Sequence, residues 1–316
     1  MMDKAGTHQH YVPQFVLRGF AFGRSKQLYV FDKANGKSFK TAVRNVASEG
    51  GFYDVKIGGV PHSLDPFVSK LEEHSKDPIR KVLSTRSLRG LSVEERASIA
   101  VFVTIQLLRT NAQRRQFKHM NDMFRDAIIQ RGGDPHSVEN FEVLDEEEAR
   151  AAHLQLIPGL VRDLSPHFVD KSWLLYSTPQ KHAFYISDNP VTMYNTVNQD
   201  PHRGTAGVAV PGIEIYFPLS GTLCLGFLCP SLEAWIRGGQ SRTDRLGVPL
   251  SLHDFITALD GNGTLGLPPE SVMHQNSLQV INAEQYIFSS NGDFALVRDM
   301  LRTNPELRSG PRYRMA

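Results

Sequence analysis

The stretch SVEERASIAVFVTIQLLRT, residues 92–110, decides the fold class of this 316-residue chain. Ser92 and Glu95 have the S-x-x-E spacing of a capping box, so a helix begins here. Its middle, IAVFVTIQLL at 99–108, is apolar all round, and such a helix is buried on most of its faces. Because the next strong breaker is Gly132-Gly133, the pattern predicts one long buried helix of about 35–40 residues.

The segments on either side of this helix favour β structure at both ends of the chain. QLYVFDK at 27–33 predicts a strand, and Asn35-Gly36 after it predicts a hairpin turn. Residues 64–165 are predicted helical, with a break at Asp77-Pro78. Further β-rich text lies in residues 172–295, where SWLLYST, HAFYISD, IEIYFPL, TLCLGFLC and QYIFSS predict strands and 268–285 predicts a helix.

The predicted fold class is therefore α+β, with β-rich N- and C-terminal parts around a central helical region. We expect a single domain over 1–305, made of a β-rich part at 8–60, a helical part at 64–165 and a β-rich part at 172–295. Residues 306–316 form a basic tail. The two terminal β segments are expected to meet in one sheet, which would bring His10 and Asp188 close together in a single site.

Composition narrows the class of protein only broadly. Hydrophobic residues make up 41% of the chain, charged residues 22%, and the net charge is +2, which is too weak to indicate nucleic-acid binding by itself. The two cysteines, Cys224 and Cys229, are expected to be buried core thiols. The N-terminal text MMDKAGTHQHYVPQF has no apolar core of a secretory signal, and no apolar run approaches a membrane span. A cytoplasmic protein with no membrane partner is expected.

Several segments resemble one family when they are taken together and in order. They are HYVPQFVLRGFA at 10–21, IQLLRT at 105–110, ISDNPV at 186–191, IYFPLS at 215–220 and NSLQVINAEQYIFSS at 276–290. This combination resembles the widespread bacterial family of unknown function whose members begin with a His-His-Tyr-Val-Pro signature. Here Gln9 stands in place of the first histidine of that pair, and His8 lies one position further out. The resemblance supports the fold and the polar constellation, and it implies no activity.

Polar residues near the N-terminus form the first candidate site. Pro13 suits the first turn of a helix, which places Gln14 and Arg18 at i and i+4 on one face. His10 beside that helix is a candidate general base, a metal ligand or a structural hydrogen-bonding group. His8 and His10 would share a face on a strand, which is a weak signal for a metal site.

The end of the apolar helix contributes a second pair, Gln106 and Arg109, at i and i+3. A buried amide or guanidinium must find partners, so this pair belongs either to a site or to a structural network. The basic residues that follow offer either a phosphate-binding stripe or an ordinary solvated face; they are Arg114, Arg115 and Lys118.

The turn Ser187-Asp188-Asn189-Pro190, after a predicted strand, is the third candidate. Asp188 in such a turn could bind a divalent cation or act as a general base, and the alternative is an Asx-turn in which it bonds only nearby backbone. Glu72 on the first long helix is either a second metal ligand or part of a solvated face.

These candidates lead to two hypotheses, since the chain lacks the motifs of P-loop, Rossmann, zincin and serine-hydrolase enzymes. The first is a hydrolase of a phosphate-containing substrate, most plausibly a nuclease, with nucleic acid or a nucleotide as partner. Its catalytic residues would be His10, Asp188 and Gln106, its substrate-binding residues Gln14, Arg18, Arg109 and Asn189, and its metal ligands for Mg²⁺ or Mn²⁺ Asp188 and Glu72. It predicts that Asp188→Ala abolishes activity and leaves thermal stability nearly intact. The second is a non-catalytic protein that binds a nucleotide or anion, or mediates an interaction.

Overall fold

The computed structural model of the chain describes residues 8–197, 207–238 and 252–312. Within them helices and strands mix as an α+β fold, as the sequence predicts. Parts of the sequence-based predictions lie outside these residues, namely the start of the N-terminal segment at 1–7, portions of the β-rich part at 198–206 and 239–251, and the end of the basic tail at 313–316.

A four-stranded antiparallel sheet joins the two ends of the chain. Its order is β3 (Lys37–Ala42), β2 (Gln27–Asp32), β13 (Tyr286–Ser289) and β8 (Ile186–Ser187). The expectation that the terminal β segments meet in one sheet is confirmed. The hairpin at Asn35-Gly36 is also confirmed, with Gly36 at a φ of +73°. The strand predicted across HAFYISD is shorter, because only Ile186 and Ser187 pair with β13.

A five-stranded sheet supplies most of the C-terminal β structure. Its order is β12 (Leu265–Gly266), β7 (Ser172–Ser177), β11 (Leu223–Leu228), β10 (Ile213–Ser220) and β9 (Thr192–Asn195), antiparallel except for the β12–β7 pair. Strands β10 and β11 are buried almost throughout, which matches their unbroken apolar text. Of the two cysteines, Cys224 is buried in β11, whereas Cys229 lies just beyond it and is only partly buried.

Two small antiparallel pairs complete the β structure near the N-terminus. Strand β1 (His8–His10) pairs with β4 (Ser48–Gly50), and β5 (Asp54–Ile57) pairs with β6 (Val60–Ser63).

The helices are α1 (Gln14–Leu17), α2 (Asp65–Thr85), α3 (Val93–Leu108), α4 (Asn111–Gln130), α5 (Glu146–Val169), α6 (Pro230–Arg237), α7 (Leu252–Leu259), α8 (Pro269–Asn282) and α9 (Ala295–Thr303). The first five and α8 lie where the sequence predicts helices, whereas the sequence analysis does not predict α6, α7 and α9. The capping box of Ser92 and Glu95 is present at the start of α3, which packs between α2 and α5. No helix in the described part of the chain is long and apolar enough to cross a membrane.

The single long helix predicted after Ser92 is in fact two helices, α3 and α4. The chain turns at Arg109-Thr110, where Thr110 has an extended backbone and its hydroxyl caps the amide of Gln113 at 3.3 Å. A threonine side chain that satisfies a free N–H favours a new helix start over continuation. The break predicted at Asp77-Pro78 is also wrong, because α2 continues through a buried Pro78. Packing of α2 against α3 outweighs the one hydrogen bond that proline removes.

Candidate functional site

A polar cavity of about 500 Å³ lies between the β1–α1 segment and helix α2. One wall comes from β1 and α1 and carries His8, His10, Gln14 and Arg18. The facing wall comes from α2, whose lining residues follow a helical period and are Asp65, Ser69, Glu72 and Lys76. Phe15 and Tyr53 add aromatic surface.

The first wall is positioned by the short helix that the sequence predicts after Pro13. Val16 and Leu17 are buried in the core, which turns Gln14 and Arg18 towards the cavity. The Arg18 guanidinium donates to Gln14 Oε1 at 3.2 Å, as the i,i+4 spacing suggests. Arg18 is exposed, so its remaining N–H groups face solvent and cavity.

His10 lines this cavity and has one ring nitrogen without a protein partner. Its Nε2 is covered and makes no hydrogen bond to any described residue, while the imidazole bonds the backbone of Arg44. Burial lowers the pKa of His10, against the raising effects of the Arg44 backbone and Glu72. His10 thus has an unpartnered Nε2 that the surrounding protein covers.

Gln9 has a structural role between the two histidines. Its Nε2 donates to the Asp54 carboxylate at 3.2 and 3.3 Å, and its Oε1 accepts from the backbone N–H of Tyr53 at 2.6 Å. Tyr53 in turn donates from its hydroxyl to the carbonyl of His10 at 3.1 Å. These bonds fix β1 against the loop before β5, and the alternation of a strand places His8 and His10 together on the other face.

Arg109 and Gln106 lie behind the cavity and form a hydrogen-bonded network with Glu72 on its wall. Arg109 is fully buried, and its Nη1 lies 2.6 Å from Glu72 Oε1. Gln106 Oε1 accepts from Nε and Nη2 of Arg109 at 3.2 and 2.9 Å, and its Nε2 donates to the carbonyl of Tyr11 at 2.9 Å. Gln106 and Arg109, the pair singled out from the sequence, thus lie next to the cavity, and their hydrogen bonds hold Glu72 at its wall.

The α2 wall contains residues that the sequence did not single out. Burial raises the pKa of Asp65, and the neighbouring Asp54 and Glu72 charges raise it further. Lys76 contacts Glu73 on the same helix. One sequence pattern could have predicted this wall. Polar residues recur at 65, 69, 72 and 76, with the i, i+4, i+7, i+11 spacing of one face of a helix.

Asp188 lies in a separate, closed network at the end of β8. Its Oδ1 accepts from the backbone N–H of Glu284, and its Oδ2 accepts from those of Gln285 and Tyr286, all at 2.8 Å. Burial raises the pKa of Asp188 to about 6, against the three N–H groups and the charge of Lys33, which lower it. The carboxylate is not among the cavity-lining residues.

Asn189 shares this internal position. Its Oδ1 accepts from the Thr110 hydroxyl at 2.9 Å, and its Nδ2 donates to the carbonyl of Asn282 at 3.0 Å. At the α3–α4 junction, Arg109 therefore points towards Glu72 on the cavity wall, and Thr110 points towards Asn189. The structure groups His10, Gln14, Arg18 and Glu72 around the cavity, places Gln106 and Arg109 behind it, and leaves Asp188 and Asn189 outside it.

The basic residues of α4 do not form a free stripe. Arg114 stacks 3.6 Å above the Phe52 ring and donates to the Phe52 carbonyl at 2.7 Å. Arg115 pairs with Glu284 at 3.0 Å, and Lys118 pairs with Asp122 at 2.6 Å. Among the residues that the structure describes, no three His, Cys, Asp or Glu side chains are grouped to hold a metal ion.

Comparison with known proteins assigns a family. The model described as "Protein of unknown function (DUF4238)" matches residues 8–293. The chain therefore belongs to this family of proteins of unknown function, in agreement with the resemblance seen in the sequence. No curated protein and no solved structure matches it.

Proposed function

We propose that this protein is a hydrolase of a phosphate-containing substrate, most plausibly a nuclease, and that its site is the cavity between α1 and α2. The observation that carries the proposal is His10, whose pKa burial lowers and whose Nε2 has no protein partner, in the lining of a cavity shared with Arg18 and Lys76. A histidine in this state can take a proton from an attacking hydroxyl or water. The guanidinium and ammonium groups are the ordinary ligands of a phosphate.

The other residues receive supporting roles in this proposal. Gln14 holds Arg18 through the hydrogen bond at 3.2 Å. Glu72 is kept at the wall by Arg109, and Arg109 is oriented by Gln106. Asp188 and Asn189 stabilise the fold, because their polar atoms bond the backbone and Thr110. Glu72 and Asp188, the predicted metal ligands, already accept hydrogen bonds from protein donors. The assay therefore tests for a metal requirement directly.

The test is a cleavage assay with labelled RNA and DNA, each with EDTA, Mg²⁺ or Mn²⁺. We expect the wild-type chain to cleave, and His10→Gln to lose about 100-fold or more in kcat/KM, the usual contribution of a general base. Arg18→Gln should mainly raise KM. His62→Gln, an exposed histidine of β6, is the matched control and should behave as wild type. Equal rates for His10→Gln and wild type would contradict the proposal.

The pH dependence of kcat/KM gives a second readout. Burial keeps the pKa of His10 below its ordinary 6.5, and the groups that face it are His8 from the same strand, Glu72 from α2 and Arg109 from the end of α3. Because a base must be deprotonated to act, activity should fall only as pH drops below 6.5, with a midpoint below that value. A midpoint above 6.5 would exclude His10 as the base.

A second candidate function, ligand binding without chemistry, is favoured by one observation. Gln106, Arg109, Asp188 and Asn189 are all used in internal hydrogen bonds, so four of the eight predicted site residues are structural. Absence of cleavage under every condition, together with nucleotide or phosphate binding lost in Arg18→Gln, would establish this alternative.

A further inference from the structure

The cavity contains a second histidine that the proposed function does not use. His8 and His10 alternate along β1, opposite Gly50 and Ser48 of β4, and both line the cavity. Residues two apart on a strand point to the same side with about 7 Å between them. One imidazole can therefore stand on each side of a group bound in the cavity.

The two rings differ in environment in a way that suits opposite proton-transfer roles. His10 is half-buried, and its covered Nε2 has no protein partner. His8 is exposed and can exchange protons with water. Positive charge on His8 also lowers the pKa of His10. One half-buried and one exposed imidazole thus lie side by side on β1.

The remaining lining fits a ribose as well as a phosphate. Arg18 and Lys76 supply positive charge, and Asp65 and Glu72 supply the carboxylate acceptors that proteins use for ribose hydroxyls. Phe15, which is partly exposed, offers aromatic surface to a base. A covered, unpartnered Nε2 costs free energy, and a ligand hydroxyl that reached it would remove that cost.

We propose that the substrate class is RNA and that His8 is the second catalytic residue, acting with His10 on one phosphodiester; this rests on the proposed function. His10 Nε2 removes the proton of the 2′-hydroxyl, O2′ forms a bond to phosphorus, and the bond from phosphorus to O5′ breaks. The imidazolium of His8 donates its proton to O5′. The products are a 2′,3′-cyclic phosphate and a 5′-hydroxyl end, and no co-reactant is consumed. Water then opens the cyclic phosphate with the two histidines in exchanged roles.

The experiment compares single-stranded RNA, 2′-O-methyl RNA and DNA of one sequence, with EDTA present, using the full chain. We expect RNA alone to be cut, and end-group analysis to find 2′,3′-cyclic phosphate and 5′-hydroxyl termini. His8→Gln should lose about 100-fold in kcat without loss of thermal stability, because His8 is exposed. His62→Gln is again the matched control.

The possible failures separate the two proposals. Cleavage of DNA or of 2′-O-methyl RNA at rates close to that of RNA would overturn the RNA inference and leave the phosphate hydrolase standing. Products with 5′-phosphate ends would also overturn the RNA inference and leave the phosphate hydrolase standing, because such ends require attack by water instead of the 2′-hydroxyl. A His8→Gln chain as active as wild type would overturn the role of His8. Absence of cleavage of all three substrates, with and without Mg²⁺, would overturn both proposals.

Discussion

At the scale of single residues, the sequence identified the polar side chains well but not which of them work together. Gln14 and Arg18 bond each other as the helical spacing implies, and Gln106 and Arg109 are buried and paired. Asp188, however, bonds residues 96 to 98 positions away along the chain. No local pattern encodes such partners, because they depend on how β8 and β13 come together.

The partners of Asp188 change what its removal should do. The sequence-based hypothesis expected Asp188→Ala to keep its stability, but three backbone N–H groups would lose their acceptor in the interior. A buried donor without a partner costs roughly 1–3 kcal/mol. We therefore expect the free energy of unfolding to fall by about 3 kcal/mol or more, measured by urea denaturation followed by circular dichroism.

His62→Gln is the control for this measurement, since His62 is exposed and should leave the transition unchanged. An Asp188→Ala chain that unfolds at the wild-type urea concentration would refute the structural role and return Asp188 to the list of site candidates.

At the scale of elements, the cavity depends on how closely the segment after α1 approaches strand β10. A Cβ atom on Gly19 would overlap the carbonyl oxygen of Leu219 and lie 3.2 Å from Cα of Ser220. The Gly19 carbonyl also accepts from the backbone N–H of Gly221 at 3.2 Å. Backbone meets backbone here, so neither side has a flexible side chain that can move away.

We expect Gly19→Ala to lower the free energy of unfolding by about 1–3 kcal/mol, the usual cost of overpacking. Because the displaced segment carries Arg18, the same change should weaken any binding of phosphate in the cavity. Thermal melts and phosphate titrations measure both effects. Gly159→Ala in α5 is the matched control; an added methyl there meets no described atom within 4 Å, and alanine favours a helix, so it should be neutral or stabilising. If Gly19→Ala is as stable as wild type, strand β10 can move to accommodate the added methyl group, and the prediction is wrong.

At the scale of the whole molecule, β13 ties the C-terminal part to the N-terminal part. It pairs with β2 on one side and β8 on the other, and the backbone N–H of its first residue, Tyr286, donates to Asp188. The chain beyond it stays attached through Arg312, which pairs with Glu284 at 2.7 Å. The single-domain prediction made from the sequence thus has a direct physical test in the cooperativity of unfolding.

We expect one unfolding transition that coincides by tryptophan fluorescence and circular dichroism, because the terminal segments share a sheet. A chain that ends at residue 283 lacks β13, leaves β2 and β8 unpaired across their inner edges, and should not give a cooperative transition. A chain that ends at residue 312 keeps every contact described above and should unfold like the full chain. Two separate transitions in the full chain would show two domains instead of one.

The sequence by itself determined the α+β class, the capping box of Ser92 and Glu95 and the hairpin at Asn35-Gly36. These depend on contacts within a few residues, which local spacing and turn chemistry specify. Only the tertiary structure decided that Thr110 starts a new helix, that Asp188 is internal, and that His8 and His10 face Asp65 and Glu72 across a cavity. Those outcomes follow from the packing of segments far apart in the chain, where burial and hydrogen-bond satisfaction outweigh local preference.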